Sequence, residues 1–379
     1  MKDYKRLGDY IRTVDVCNRD LSVTTLLGVS VSKDFMPSIA NTIGTDMSTY
    51  KIVLQNQFVY IADTSRRGDK IAIALLKDKD KAIVSSIYTV FEVKDTNELL
   101  PEYLMMWFRR PEFDRYARFH SHGSAREIFD WEEMCDVMLP IPPIERQREI
   151  VAEYETLSHR IIINKQLITK LEATAQALYR KMFVDGIDKE NLPDGWRMGT
   201  LGEFCKEMKS GGTPSRTNDE YWNRKDYPWL KSGEIHNNII IDVEEYISKE
   251  GLDNSSAKLI PVGTITMAMY GATAAQVAYV DCETTTNQAC CNMVCHTKDD
   301  AAYLFFHLLS IQEDVKKLAN GGAQENLSQE LIAQQPIIIL NDIEQKSIFI
   351  PILDNLIVLY KENLKLTELQ SLLLAKMGR

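Results

Sequence analysis

Several features that would assign this chain to a familiar class of protein are missing from its sequence. No apolar run approaches the roughly 20 residues that a membrane-spanning helix needs, and residues 1–6 lead into no apolar segment of the kind found in a signal peptide. The seven cysteines are an odd number in a long chain without an export signal, which favours reduced thiols over a disulfide framework. We therefore expect a cytoplasmic protein.

Motifs for catalysis and metal binding are also missing. The spacing of Cys290, Cys291, Cys295 and His296 matches no common zinc pattern, so we interpret these residues as structural and expect no metal site. The sequence contains no Asn-Pro-Pro-Tyr or Asp-Pro-Pro-Tyr element of an adenine methyltransferase, no Walker phosphate loop, and no carboxylate cluster with acid–base spacing. We predict that the chain is not an enzyme.

An excess of positive charge, the usual mark of a nucleic-acid-binding protein, is lacking as well. The net charge is −10 and the isoelectric point is about 5.3. If DNA is the ligand, the basic residues must be gathered on one face, with the acidic remainder turned to solvent or to other subunits. The length of 379 residues favours two domains over a single core.

The most informative feature that is present is an internal duplication. Short segments recur in the same order at offsets of 194 to 200 residues: Leu7-Gly8-Asp9-Tyr10 as Leu201-Gly202-Glu203-Phe204, Tyr103-Leu104 as Tyr303-Leu304, and Ile144-Glu145 as Ile343-Glu344. Each copy runs from a β-rich stretch to an amphipathic helix, at about 101–120 and 300–318. A glycine loop, a brief strand and a long helix follow. This order predicts an α/β (α+β) fold with a pseudo-two-fold internal repeat.

Each copy ends in a heptad pattern that predicts a coiled-coil helix. The predicted seam residues are Leu157, Ile161, Asn164, Ile168 and Leu171 in the first helix, and Leu356, Leu359, Asn363, Leu366 and Leu373 in the second. Asn164 and Asn363 are repeat partners: they either fix the register or lie at the edge of the interface. Pro351 predicts a kink or a later start of the second helix.

We predict that the two long helices pack antiparallel and hold two globular modules apart. A helical hairpin inside one globule is the alternative. The predicted segments are a first domain at 1–143, a central spacer helix at 144–184, a linker at 185–195, a second domain at 196–342, and a C-terminal spacer helix at 343–379.

These features, together with local segments, resemble the specificity subunits of type I restriction-modification enzymes. The similar segments are 56–60, 64–71 and 85–91 in the first copy, and 211–215, 228–235, 255–261, 268–273 and 285–290 in the second. The resemblance implies two target-recognition domains, each reading one half of a split, asymmetric site in double-stranded DNA. It also implies that the helices dock two methyltransferase (M) subunits, that restriction motor-nuclease (R) subunits join them, and that AdoMet and ATP belong to those partners rather than to this chain.

Polar turns between apolar strands are the places where base-reading side chains are expected. The DNA-binding candidates are Arg66, Arg67, Lys70, His122, Ser124, Arg126, Lys231, His236, Tyr270, Thr273, Gln276 and Gln324. A solvated turn is the alternative at each position. We interpret Arg109, Arg110, Arg115 and Arg118 as a solvated helix face, with phosphate contact as the alternative. The aromatic residues Trp131, Tyr154, Trp222 and Trp229 are interpreted as packing residues, with base stacking as the alternative.

Two other classes of function remain open at this point. One is a fused restriction-methylation enzyme, which the missing catalytic motifs disfavour. The other is a coiled-coil adaptor scaffold with two domains that do not bind DNA, which the net charge of −10 favours slightly.

Overall fold

The computed structural model describes residues 4–38, 44–64, 68, 70–123, 127–319, 326–340 and 343–378. The chain forms two compact units: Met1–Ile161 with Lys365–Arg379, and Ile162–Leu364. Within the described part of the chain, no helix combines the length and the apolar character needed to cross a lipid bilayer.

The first unit is built around β-strands. They are β1 (Tyr4–Arg6), β2 (Ile11–Val14), β3 (Leu27–Val29), β4 (Phe35–Pro37), β5 (Lys51–Leu54), β6 (Phe58–Ile61), β7 (Ala72–Leu75), β8 (Lys81–Val84), β9 (Thr89–Val93) and β10 (Met138–Pro140). An antiparallel sheet has the order β2-β9-β6-β7. Strand β3 pairs with β4, β5 with β8, and β1 with β10.

The helices of the first half of the chain are α1 (Pro101–Phe108), α2 (Pro111–Phe119), α3 (Trp131–Cys135) and α4 (Ile144–Phe183). The single helix predicted at about 101–120 is therefore wrong, because it is divided at Arg109 and Arg110. Pro111 explains the break: it lacks a backbone N–H and disfavours helical geometry in the residue before it, yet it suits the first turn of a new helix.

The central sheet of the first unit is covered on both faces, which explains why β6 is apolar throughout. Successive side chains of a strand point to opposite faces. Phe58 and Tyr60 pack with α1 and α2, whereas Val59 and Ile61 pack with residues of β3, β5 and β8. The first unit is therefore a helix layer, a sheet and a second β layer.

The rest of the chain contributes the elements of the second unit. The strands are β11 (Trp196–Thr200), β12 (Glu207–Ser210), β13 (Tyr227–Leu230), β14 (Asn238–Ile240), β15 (Glu245–Ile247), β16 (Leu259–Ile260), β17 (Thr264–Ala268), β18 (Val277–Val280), β19 (Thr284–Thr286), β20 (Cys290–Val294) and β21 (Pro336–Leu340). The helices are α5 (Leu201–Phe204), α6 (Lys249–Asp253), α7 (Lys298–Ala319), α8 (Gln329–Ala333), α9 (Ile343–Ser347) and α10 (Ile350–Met377). The residues of α10 from Lys365 onward belong to the first unit.

The second unit repeats the architecture of the first. Its main sheet has the order β12-β20-β17-β18-β14, which contains the same four-strand arrangement as β2-β9-β6-β7. A second sheet, β15-β13-β19-β16, covers the face opposite α7. The Tyr103 hydroxyl donates to the Pro140 carbonyl at 3.0 Å, and the Tyr303 hydroxyl donates to the Ile338 carbonyl at 2.9 Å. The predicted mixed α/β class is confirmed.

The proline in the second long helix acts as expected. Helix α9 ends at Ser347, and α10 begins at Ile350 with Pro351 as its second residue. The missing N–H of Pro351 falls where no intrahelical bond is required. The predicted later helix start is therefore observed.

Candidate nucleic-acid interface

In the first unit, the structure brings the ends of two predicted reading segments together. These are the arginine turn between β6 and β7 and the histidine loop after α2. The Phe129 N–H donates to the Ala62 carbonyl at 2.9 Å, and the Thr64 N–H donates to the Glu127 carbonyl at 3.1 Å. The Thr64 hydroxyl also donates to the Ser121 hydroxyl at 2.9 Å. The arginine turn therefore starts beside the histidine loop.

The candidate side chains of these two segments are only partly described. Lys70 is exposed. His122 is 73% exposed, and its Nε2 lies 3.4 Å from a carboxylate oxygen of Glu133. The remaining candidates of this unit lie outside the described residues: Arg66, Arg67, Ser124 and Arg126. The two ends of the histidine loop are paired, because His122 and Ile128 exchange two backbone hydrogen bonds of 3.1 and 2.9 Å.

In the second unit, two turns that are about 40 residues apart in the sequence form one surface. The Thr273 hydroxyl donates to the Ser232 carbonyl at 3.0 Å. His236 Nδ1 and Gln276 Oε1 share a hydrogen bond of 3.1 Å. Tyr270 is exposed at the start of the same turn. Four of the predicted residues, His236, Tyr270, Thr273 and Gln276, therefore belong to this surface.

A third segment of the second unit joins this surface. Tyr270 forms an antiparallel bridge with Asn326, and the Leu327 N–H donates to the Met269 carbonyl at 2.9 Å. Gln324 itself lies outside the described residues. The same pairing occurs in the first unit, where Asp63 bridges Ile128. In both units, the turn that follows the inner strand β6 or β17 runs beside the loop that follows the helix α2 or α7.

Lys231 is held by carboxylates at the edge of this surface. Its Nζ lies 2.8 Å from Glu244 and 3.0 Å from Glu245, and these hydrogen bonds raise the pKa of Lys231. Glu245 also accepts from Arg216 at 2.6 Å. The Arg216 guanidinium lies 3.5 Å from the centre of the Trp222 ring. The carboxylates of Glu244 and Glu245 thus neutralise the Lys231 ammonium group. The sequence next to Lys231 does not predict this pairing.

The arginines near the helix break of the first unit are also engaged, and one prediction about them is wrong. Arg110 is 7% exposed and stacks over Trp107 at 4.2 Å, so it is not part of a solvated face. Arg109 lies 2.5 Å from Asp34. Arg115 pairs with Glu112, and Arg118 with Glu127.

The long helices carry their predicted seam residues on buried or half-buried faces. In the second unit, Asn164 is fully buried, and its Nδ2 donates to Asn363 Oδ1 and to Glu362 at 3.0 Å each. The other seam residues of this unit join its core: Ile168, Leu171, Leu356 and Leu359. The seam residues of the first unit are half-buried: Leu157, Ile161, Leu366 and Leu373. The side chains of the two asparagines are therefore in direct contact.

The sequence duplication coincides with two matches to one family. The model of the type I restriction modification DNA specificity domain matches residues 32–173 and again residues 193–371. Together the two matches cover most of the chain. This chain belongs to the type I restriction-modification DNA specificity family.

Members of the specificity family that resemble this chain span most of its length. The "Type I restriction enzyme HindI specificity subunit" of Haemophilus influenzae is 24% identical over 392 residues, covering 82% of this chain and 84% of the relative. The "Type I restriction enzyme EcoR124I/EcoR124II specificity subunit" of Escherichia coli is 25% identical over 293 residues, covering 73% and 68%. The predicted family membership is confirmed.

A solved specificity-family structure has the same fold. The S subunit of a type I restriction-modification system from M. genitalium aligns with a TM-score of 0.61 at 14% identity, covering 100% of this chain and 96% of that chain. The sequence does not predict the residues that contact the candidate turns, such as Glu244 and Glu245 at Lys231, because they lie on other segments of the chain.

Two cysteines of the second unit are packing residues. Cys290 and Cys291 are buried in β20, and burial raises the pKa of both thiols, that of Cys291 to about 12. The described residues hold no group of three or more His, Cys, Asp or Glu side chains arranged to bind a metal ion.

Proposed function

We propose that this chain is the DNA-reading subunit of a type I restriction-modification complex, and that each unit reads one half of a bipartite, asymmetric duplex site. The observation that carries the proposal is one backbone arrangement that occurs in both units, which we call the repeated frame. The same pair of segments lies side by side in both units, at the bridges Asp63–Ile128 and Tyr270–Asn326. A frame that is repeated while its side chains differ suits two modules that read different sequences.

The chemistry of the two frames supports different half-sites. The first carries Arg66, Arg67 and Lys70, and an arginine can donate two parallel hydrogen bonds to guanine. The second carries the uncharged Thr273 and Gln276, and glutamine suits adenine. The first half-site is therefore expected to contain guanine, and the second to depend on hydrogen bonds from neutral groups.

We further propose that α4 and α10 pair antiparallel as a coiled-coil spacer that sets the gap between the half-sites. The buried hydrogen bond between Asn164 and Asn363 supports a fixed register. The outer faces of the helices carry apolar side chains: Val358 is 61% exposed, Leu372 58% and Ile162 53%. Exposed apolar groups of this kind are suited to protein partners. Two methyltransferase subunits would dock there, and motor-nuclease subunits would join that core.

Catalysis is assigned to those partners in this proposal. The chain lacks the sequence elements of an adenine methyltransferase and of a nucleotide-binding phosphate loop, so AdoMet and ATP would be bound by the methyltransferase and motor-nuclease subunits. The adaptor-scaffold alternative is less favoured, because the DNA specificity model matches both copies of the repeat.

The decisive experiment compares the two half-sites. Methylome mapping of the host, with and without this protein, supplies the site. Duplex binding by the full chain with its methyltransferase partner is then measured across salt concentrations. The variant Arg66→Ala/Arg67→Ala should weaken binding through one half-site only, with a smaller salt dependence. The control Lys79→Ala/Lys81→Ala removes two exposed charges elsewhere in the same unit and should leave the half-site preference unchanged. An equal loss at both halves would contradict separate modules.

A further inference from the structure

The same helix position contacts the end of the reading turn in both units. Asp114 on α2 and Gln312 on α7 are 198 residues apart, the separation that also relates Phe129 to Leu327. A carboxylate oxygen of Asp114 accepts the Ile71 N–H at 3.2 Å, where the arginine turn ends. Gln312 Nε2 donates to the Ala275 carbonyl at 2.9 Å, near the end of the second turn.

Each of these helix residues has a second partner, and the two partners share an unusual backbone. Lys33 Nζ donates to Asp114 at 2.8 Å. Asn237 exchanges two hydrogen bonds of 2.9 and 2.8 Å with Gln312, and its Oδ1 also accepts the Val277 N–H at 3.0 Å. Lys33 has φ +68° and Asn237 has φ +57°. Residues other than glycine adopt this left-handed region rarely, and they keep it only where the surroundings enforce it.

We propose that Asp114 and Gln312 are equivalent positioning residues which, with Lys33 and Asn237, hold the backbone at the end of each candidate reading turn, at Ile71 and at Ala275. The inference rests on the proposed function. Base recognition requires donors and acceptors to be placed within fractions of an ångström, and a loop side chain is only as well placed as its backbone. The hydrogen bonds made by Asp114 and Gln312 reach backbone atoms, the Ile71 N–H and the Ala275 carbonyl, and not the side chains of the turns. The reading side chains can therefore change while the support stays the same.

The two supports differ in chemistry, and this decides which one to test. Lys33 and Asp114 form a charged pair whose side chains are only 5% and 15% exposed. Burial lowers the pKa of Lys33, against the hydrogen bond to Asp114. Removal of Asp114 would leave a buried ammonium without its counter-charge and would damage the fold. Gln312 and Asn237 form a neutral pair, so the second unit allows a cleaner test.

Two variants remove the support of the second turn in different ways. Gln312→Leu keeps the bulk of the side chain and loses its hydrogen bonds. Asn237→Gly removes the amide, and glycine accepts a φ of +57° without strain. Glu313→Gln, at the next and exposed position of α7, is the matched control.

The experiment selects the full-length chain, in complex with its methyltransferase partner, against a pool of duplexes with a randomised central segment. A DNA-independent measurement, hydrogen exchange of the β17 and β18 amides, runs alongside. We expect the wild type and Glu313→Gln to select the same bipartite motif. Gln312→Leu and Asn237→Gly should lose discrimination in one half by about tenfold per position, the size of one good base contact. The other half, the salt dependence and the protection of β17 should be unchanged, while the Val277 amide should exchange faster in Asn237→Gly, which removes its acceptor.

The possible failures are distinguishable. If both variants select the wild-type motif with unchanged sharpness in both halves, the positioning role is wrong and the proposed function stands. Equal loss in both halves, or loss of β17 protection in both variants, would show a general role in folding and would also overturn the inference. If the wild-type complex selects no motif, the proposed function falls and the inference falls with it.

Discussion

The buried His307 is expected to make the stability of the second unit depend on pH. It lies on α7 with 4% of its surface exposed, and its Nδ1 is 2.7 Å from the Tyr179 hydroxyl. Burial is the main reason why the pKa of His307 falls from 6.5 to about 4, and contact with the backbone of Pro336 offsets only part of this. The charge of Lys189 lowers the pKa further.

The sign and size of the effect follow from proton linkage. The folded unit keeps His307 neutral at pH 5, whereas the unfolded chain protonates it below about pH 6.5. Between the two pKa values the unfolded state binds more protons, so this stability is complete above pH 6.5 and is lost as the pH falls towards 4. From pH 7.5 to pH 5 the loss amounts to about 2 kcal/mol.

The assay must resolve the two units separately, because a two-unit chain need not unfold in one step. Hydrogen exchange with mass spectrometry, across denaturant at pH 7.5 and pH 5, gives the opening free energy of β17 and α7. The variant His307→Gln cannot titrate and keeps a polar partner for Tyr179, so it should lose this pH dependence. The control His296→Gln, an exposed histidine of the same unit, should keep it. If His307→Gln shows the same loss of stability between pH 7.5 and pH 5 as the wild type, the assigned pKa is wrong.

Two further predictions concern the long helices. Asn164→Leu removes a buried hydrogen-bond partner of Asn363 and Glu362, so it should destabilise the second unit by about 1–3 kcal/mol in the same exchange assay; a neutral effect would show that these hydrogen bonds add no net stability. Deleting seven residues from each helix shortens the proposed spacer by about 10 Å at 1.5 Å per residue, or about three base pairs of duplex. The gap between methylated half-sites should change accordingly, and an unchanged gap would refute the spacer.

Periodic and repeated features of the molecule were predictable from the sequence. The offset between Asn164 and Asn363 identified them as repeat partners before their hydrogen bond was seen, and the heptad pattern located both long helices. Pro351 predicted a later helix start, because its effect depends only on its own ring. Pro111 carries the same local signal, since a proline inside a helical pattern predicts a break at the residue before it.

Pairings between distant residues could not be predicted in this way. Lys33 meets Asp114 across 81 positions, and Lys231 meets Glu244 from a neighbouring turn. Nothing in the local sequence of either lysine distinguishes a buried ion pair from a solvated charge. Arg110 was assigned to a solvated face for the same reason, since a helical pattern does not show which neighbour will cover it.

The acidic balance of the chain is compatible with reading DNA if affinity and discrimination come from different subunits. Phosphate contacts supply most of the non-specific affinity, and base contacts supply the discrimination. Among the described residues near the candidate reading turns, Lys231 is paired with Glu244 and Arg118 with Glu127. Each of these two cations therefore already has an acidic partner within the chain. A net charge of −10 lowers the affinity of the chain for any duplex, whatever its sequence. Specificity depends on the ratio between specific and non-specific binding. Under the proposed function, base contacts of this chain would therefore set the discrimination, and phosphate contacts of the partner subunits would set the affinity shared by all sequences.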